Sequence, residues 1–74
     1  GQHEVDLLIN NGRALIAVEL KAGRTFDPSF ANELRRFIAF AGDCCNPTVL
    51  YSGDASVEIN GIRFDSFRNV ANLL

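Results

Sequence analysis

Asn11-Gly12 constrains this chain more than any other feature, because it sits between the apolar stretches of residues 4–10 and 13–21. An Asn-Gly pair between two such runs predicts a two-residue hairpin turn, whose central residues both need positive φ. With that turn, Asn10 pairs with Arg13, Ile9 faces Ala14, Leu7 faces Ile16 and Val5 faces Val18, which makes one face wholly apolar. On the other face Leu8 meets Leu15, Asp6 meets Ala17 and Glu4 meets Glu19. Side chains alternate along a strand, so Glu4, Asp6, Glu19 and Lys21 project from one side at the end far from the turn. Asp6 and Glu19 become diagonal neighbours, roughly 7 Å apart at the backbone.

Such a cluster is costly on its own. Like charges opposite one another weaken a sheet, and crowded carboxylates raise one another's proton affinity. Lys21, the sole lysine, supplies one compensating charge; a divalent metal supplies two. Mg²⁺ or Mn²⁺ takes oxygen ligands, typically one or two carboxylates completed by water and substrate phosphate. The pattern therefore suits a hard-cation site.

Asp6 followed by Glu19-Leu20-Lys21 on the next strand of a hairpin resembles the PD-(D/E)xK nuclease superfamily, whose restriction-endonuclease-like core is αβββαβ. The two runs around these residues are similar, more narrowly, to the nuclease-like C-terminal domain of prokaryotic AAA-type ATPases of unknown function. The resemblance covers most of the chain. Val5 stands before Asp6 where the superfamily name has Pro, at a loosely defined position. The resemblance implies that Asp6, Glu19 and the Leu20 carbonyl hold the metal, with Glu4 as an auxiliary ligand. It implies that Lys21 serves the attacking water, making Asp6, Glu19 and Lys21 the catalytic group. It further implies a nucleic-acid substrate, an ATPase domain in the same chain and a cytoplasmic setting.

Seventy-four residues allow one small domain, which buries only about 60% of its unfolded surface. The reading is a truncated nuclease-like domain, residues 1–74, from the C-terminal part of a longer protein, lacking the first helix and first strand of the core. Such a piece is expected to be marginally stable or to form a homo-oligomer through an open sheet edge. Net charge −2 and pI near 5.1 provide no general attraction for nucleic acid or anionic membrane, so phosphate contacts have to be local; Arg24, Arg35 and Arg36 are the candidates. No apolar run approaches the ~20 residues of a membrane span, and no signal-peptide pattern is present. Adjacent Cys44 and Cys45 match neither zinc-ligand spacing nor ordinary disulfide geometry, and read as reduced thiols without a role. His3, beside the cluster, reads as a solvated terminal residue rather than a ligand.

After Lys21 the chain leaves the sheet. Asp27 reads as a helix N-cap and Pro28 as its first position. Phe30, Leu34, Phe37, Ile38 and Ala41 recur at helical spacing, with Asn32, Glu33, Arg35 and Arg36 opposite and Gly42 as the terminator. This helix is expected to lay its apolar stripe, Phe40 included in the core, on the Val5/Leu7/Ile9 face of the hairpin. A loop over residues 43–47 leads to a buried strand at residues 48–51, parallel to the second hairpin strand. Asn60-Gly61 predicts a second hairpin pairing Ile59 with Ile62, Glu58 with Arg63 and Val57 with Phe64, its charged pair outside. Asp65 or Ser66 then caps a short last helix with Phe67, Val70, Leu73 and Leu74 turned inward. The class is α/β: hairpin, crossover helix, parallel strand, second small hairpin and short C-terminal helix.

A bland alternative stands beside each functional reading. The carboxylates and Lys21 can form a solvated hairpin end, although three carboxylates to one lysine do not balance. Arg35 and Arg36 can simply face solvent. The rival function is a catalytically inactive interaction or oligomerisation module of an ATPase, which the acidic pI and sparse basic residues favour.

Overall fold

The computed structural model describes residues 5–41 and 45–74, a mixed α/β unit. Five strands, β1 (Leu7–Asn10), β2 (Leu15–Lys21), β3 (Cys45–Tyr51), β4 (Val57–Ile59) and β5 (Ile62–Ser66), form one sheet in the order β1-β2-β3-β5-β4. β2, β3 and β5 are parallel; β1 and β4 pair antiparallel at the two edges. Between β2 and β3 the chain makes a 3₁₀ turn, Pro28–Ala31, that runs into α1 (Asn32–Ala41). A second 3₁₀ segment, Phe67–Leu73, ends the chain. No helix among the described residues is long and apolar enough to cross a membrane.

The first hairpin departs from its expected register by two residues. Leu7 pairs with Val18, Leu8 with Ala17, Ile9 with Ile16 and Asn10 with Leu15, in place of Val5 with Val18 and Glu4 with Glu19. The turn is a four-residue loop, Asn11 to Ala14, in which Gly12 has φ +87° and Asn11 does not take positive φ. Two neighbouring asparagines explain this. Asn10 Oδ1 accepts from the Gly12 N–H at 2.9 Å, and Asn11 Oδ1 accepts from the Arg13 and Ala14 N–H groups at 3.0 Å each. These side-chain bonds satisfy a wider loop, and the slip matches β-branched Ile9 with Ile16. A shift of two leaves every side chain on its expected face. Asn60-Gly61 has no asparagine before it and behaves as expected, with φ of 52° and 82° and the register Ile59–Ile62, Glu58–Arg63, Val57–Phe64.

Asp27 caps the 3₁₀ turn through Ser29 N–H, and Pro28 follows it as the sequence implies. The helix covers the other face of the hairpin from the one expected. Ala31 and Leu34 pack with Ala17, Val49, Ile62 and Phe64, joined by half-buried Phe26, Phe30 and Phe37. Ala17 and Val49 form a shallow floor that admits the helix. The Ile9/Ile16/Val18 face instead packs with Leu50 and Leu73, so the sheet is covered on both sides. Val5 nevertheless joins the helix-side cluster, because the chain bends at Asp6. Phe40, expected in the core, is 69% exposed.

Two further differences concern the ends of strands. β3 begins at Cys45 rather than after Pro47, extending its parallel pairing with β2 over seven residues. The C-terminal segment is 3₁₀, kinked at Asn69, with Ser66 as its cap. Only Leu73 turns into the core; Phe67, Val70 and Leu74 are exposed, since the kink takes the segment off a single helical face. His3, Glu4, Gly42 and Cys44 lie outside the described residues.

Candidate functional site: the carboxyl end of the second strand

Glu19 and Lys21 stand two residues apart on β2, so both side chains emerge on the helix side of the sheet. Their Cα partners on β3 are Val49 and Tyr51, and the aromatic loop above them encloses this end. Phe26 meets Tyr51 edge-on at 6.4 Å between ring centroids, and Phe30 lies 6.1 Å from the same ring. Tyr51 in turn accepts a hydrogen bond from the Ala55 N–H at 2.7 Å. The enclosure leaves Glu19 only 6% exposed, an unusual position for a carboxylate.

Asp6 approaches from β1. Continuing the β1–β2 register by one residue sets it across from Glu19, nearer than the diagonal position expected. Its Oδ2 accepts the Leu20 backbone N–H at 2.8 Å. Lys21 Nζ lies 3.1 Å from Glu19 Oε2. Glu19 holds its proton more tightly than an ordinary glutamate: burial disfavours its charge, Lys21 works against that through its hydrogen bond, and the Asp6 carboxylate adds repulsion. Burial and Asp6 prevail, so one lysine does not neutralise the pair.

The structure therefore brings together Asp6, Glu19, Leu20 and Lys21. Among the described residues no three His, Cys, Asp or Glu side chains converge; the expected auxiliary ligand, Glu4, lies outside them. The arginines separate. Arg24 is exposed in the loop that follows Lys21, anchored where Gly23 C=O accepts the Ser52 N–H at 3.0 Å. Arg35 bonds Asn32 Oδ1 at 2.9 Å and borders a groove of about 490 Å³ with Pro47, Asn60 and Gly61, at the opposite end of the sheet. Arg36 pairs with Glu33 on its own helix. Only Arg24 shares the Lys21 end.

Asp65 is a buried polar residue that the sequence pattern did not mark as such. It is 5% exposed on β5, accepting from Asn69 Nδ2 at 2.7 Å, the Ser66 N–H at 2.9 Å and Arg63 Nε at 3.2 Å. Burial alone pushes its proton affinity up, but the three donors outweigh it and hold the carboxyl below its usual range. The Arg63 guanidinium is thereby engaged two residues along its own strand rather than with Glu58 opposite. An Asp-Asn pair four residues apart across a strand end was the available signal.

The curated proteins and the solved structures returned no match to this chain. A family model described as a domain of unknown function (DUF4143) matches residues 1–69, and the chain belongs to that family.

Proposed function

We propose that this chain is a nuclease-like domain of the PD-(D/E)xK type, associated with an AAA-type ATPase domain of the same protein in the cytoplasm. In this reading Asp6, Glu19 and the Leu20 carbonyl hold Mg²⁺ or Mn²⁺, and the substrate is a nucleic-acid phosphodiester. The observation that supports it is the convergence of two carboxylates with one lysine around a buried Glu19. The donor set suits the ion: all oxygen, anionic, and short of one positive charge. Bound there, the metal would lower the pKa of a coordinated water and stabilise charge on the phosphate.

The chain's own residues supply the rest. Asp6 is oriented by the Leu20 N–H, which leaves its second oxygen for the ion. Lys21, held against Glu19 and about one-third exposed, is placed to orient a water and to offset negative charge on the phosphate. Arg24 is the candidate for a neighbouring phosphate contact.

Titration of the protein with Mn²⁺, followed by NMR, tests this. Broadening centred on Asp6, Glu19 and Leu20, abolished in Asp6→Ala and Glu19→Ala but kept in Lys21→Ala, is the expected result. Lys21→Ala should retain binding and lose hydrolysis of a DNA or RNA substrate. Absence of any response at these three residues overturns the reading.

One observation favours the second reading, a catalytically inactive interaction or oligomerisation module. β1 is an edge strand whose Leu7 and Leu8 are 43% and 50% exposed on opposite faces, and it carries no lysine or proline to blunt pairing.

A further inference from the structure

β1 forms one edge of the sheet, and the hydrogen-bonding phase of that edge is fixed. Residues along an antiparallel strand alternate, each turning both its N–H and its C=O toward one side or the other. Two bonds set the alternation here. The Asn11 N–H donates to the Ala14 carbonyl across the loop, and the Leu20 N–H is directed toward β1, where Asp6 Oδ2 accepts it. Leu7 and Ile9, opposite Val18 and Ile16, therefore turn their backbone groups toward β2. Leu8 and Asn10 turn theirs outward, where no described strand lies.

The side chains leave this edge accessible. Leu8 is exposed on the helix side of the sheet, because the helix packs over Ala17 and Val49 and stops short of β1. Leu7 is exposed on the far face. Asn10 folds its side chain back onto the Gly12 N–H, so it does not screen the backbone beside it.

Charge selects what such an edge accepts. Asp6 and Glu19 share one lysine at the start of β1, whereas Arg13, in the loop at its other end, has no ion pair among the described residues. A second copy of β1 laid parallel would set carboxylate against carboxylate. Laid antiparallel, each Arg13 loop comes to the partner's carboxylate end. Antiparallel neighbours must also share a face and match outward-turned residues with one another. Leu8 against Leu8 meets both conditions, and it sets Leu7 against Ile9 and Asp6 against Asn10. The next register, Leu8 against Asn10, would place an exposed leucine on an amide.

We propose that β1 is a homodimer interface, two copies joining their sheets antiparallel with Leu8 on the twofold axis. This rests on the interaction-module reading of the edge and names the partner as a second copy of the chain. The Leu8 N–H and C=O then exchange bonds across the axis, an isologous contact that closes the assembly at two. A pair of four-residue strands makes less than the ~1,200–2,000 Å² of a standard interface, so association is weak, micromolar to millimolar.

Sedimentation equilibrium of the protein across that range should show monomer and dimer alone. Amide exchange at Leu8 and Asn10 should slow as concentration rises, while Leu7 and Ile9 stay unchanged. A mixture of isotope-labelled and unlabelled protein should give an intermolecular contact between the Leu7 and Ile9 Hα protons, the close pair of this register. Leu8→Lys, at an exposed position, should keep the circular dichroism of the wild type and abolish association. Arg13→Glu, in the exposed loop, should weaken association about tenfold through like-charge repulsion. A monomer at every concentration, association unaltered by both variants, or assemblies larger than two overturn the proposal. Hydrolysis of nucleic acid by the wild type would remove the inactive-module reading and leave the dimer standing, because association needs neither metal nor Lys21.

Discussion

The Leu20 backbone N–H donates to Asp6 Oδ2 across 2.8 Å, and this bond pins a carboxylate beside a second one on the neighbouring strand. Asp6 sits at a bend, outside the regular ladder, so a side-chain acceptor takes the place of a backbone one there. The same bond keeps Asp6 close enough to raise the proton affinity of Glu19. Replacing Asp6 with Asn should therefore lower the Glu19 pKa toward its ordinary value, read by side-chain carboxyl NMR across a pH series. An unchanged Glu19 titration would mean that burial alone sets it.

Glu19 gives the stability of the domain a specific pH dependence. Its folded-state pKa lies above the ordinary 4.5, so the folded chain binds this proton more tightly than the unfolded one. The contribution is fully present below the ordinary value and is lost as pH rises through the folded value. At neutral pH without divalent cation, Glu19→Gln should unfold at a higher temperature than the wild type, and the difference should shrink in acid. Added Mg²⁺ should stabilise the wild type and leave Glu19→Gln unchanged.

Asp65 shows the opposite sign. Its folded pKa lies below the ordinary 3.8, so its contribution is present above that value and is lost as pH falls through the lowered one. Asp65→Ala removes the acceptor for Asn69, the Ser66 N–H and Arg63 and should cost about 2–3 kcal/mol at neutral pH, as expected for charge-assisted bonds in a buried site. Denaturant unfolding at pH 7 and in acid should show that cost narrowing at low pH.

Leu34 is fully buried where the helix meets the sheet. Leu34→Ala should cost roughly 2–5 kcal/mol as a large-to-small core change. Phe40→Ala, at an exposed helix position, should cost far less by the same chemical denaturation.

Two glycines are needed for different reasons. Gly12 has φ +87° and open space around it, so Gly12→Ala should cost only the left-handed penalty of about 1–2 kcal/mol. Gly53 has no such φ, but a Cβ there would overlap the Arg24 carbonyl oxygen and the Tyr51 ring. Gly53→Ala should cost about 1–3 kcal/mol or more from overpacking and shift the resonances of Arg24 and Tyr51. Gly12→Ala should leave both in place.

The local signals legible in the sequence are the ones that depend on neighbouring residues alone. Asn60-Gly61 set its own turn and register, Asp27-Pro28 set the start of the 3₁₀ turn, four residues ahead of the α-helix it was expected to open, and the period-2 alternation placed Asp6, Glu19 and Lys21 on one face. The short β-branched run around Val49 marked a strand buried between two others. The first hairpin shows the limit of such local signals. Asn11-Gly12 is the same dipeptide as Asn60-Gly61, but Asn10 and Asn11 both turn their side chains back onto the loop, and the register moved by two. Face assignment survived because an even slip preserves alternation, whereas the partner of Glu19 changed from Glu4 to Asp6.

Only the tertiary structure decided which side of the sheet α1 covers. Both faces of the hairpin are apolar enough to accept a helix, and the choice belongs to the crossover between β2 and β3, which no local pattern contains. That choice puts the aromatic loop over Glu19, and burial under it raises the proton affinity of Glu19. It also leaves the far face to the C-terminal segment, whose Leu73 packs against Ile16, Val18 and Leu50. Sequence determined which chemistry-bearing residues share a face. Tertiary packing decided how dry each of them is, because burial depends on elements distant in the chain.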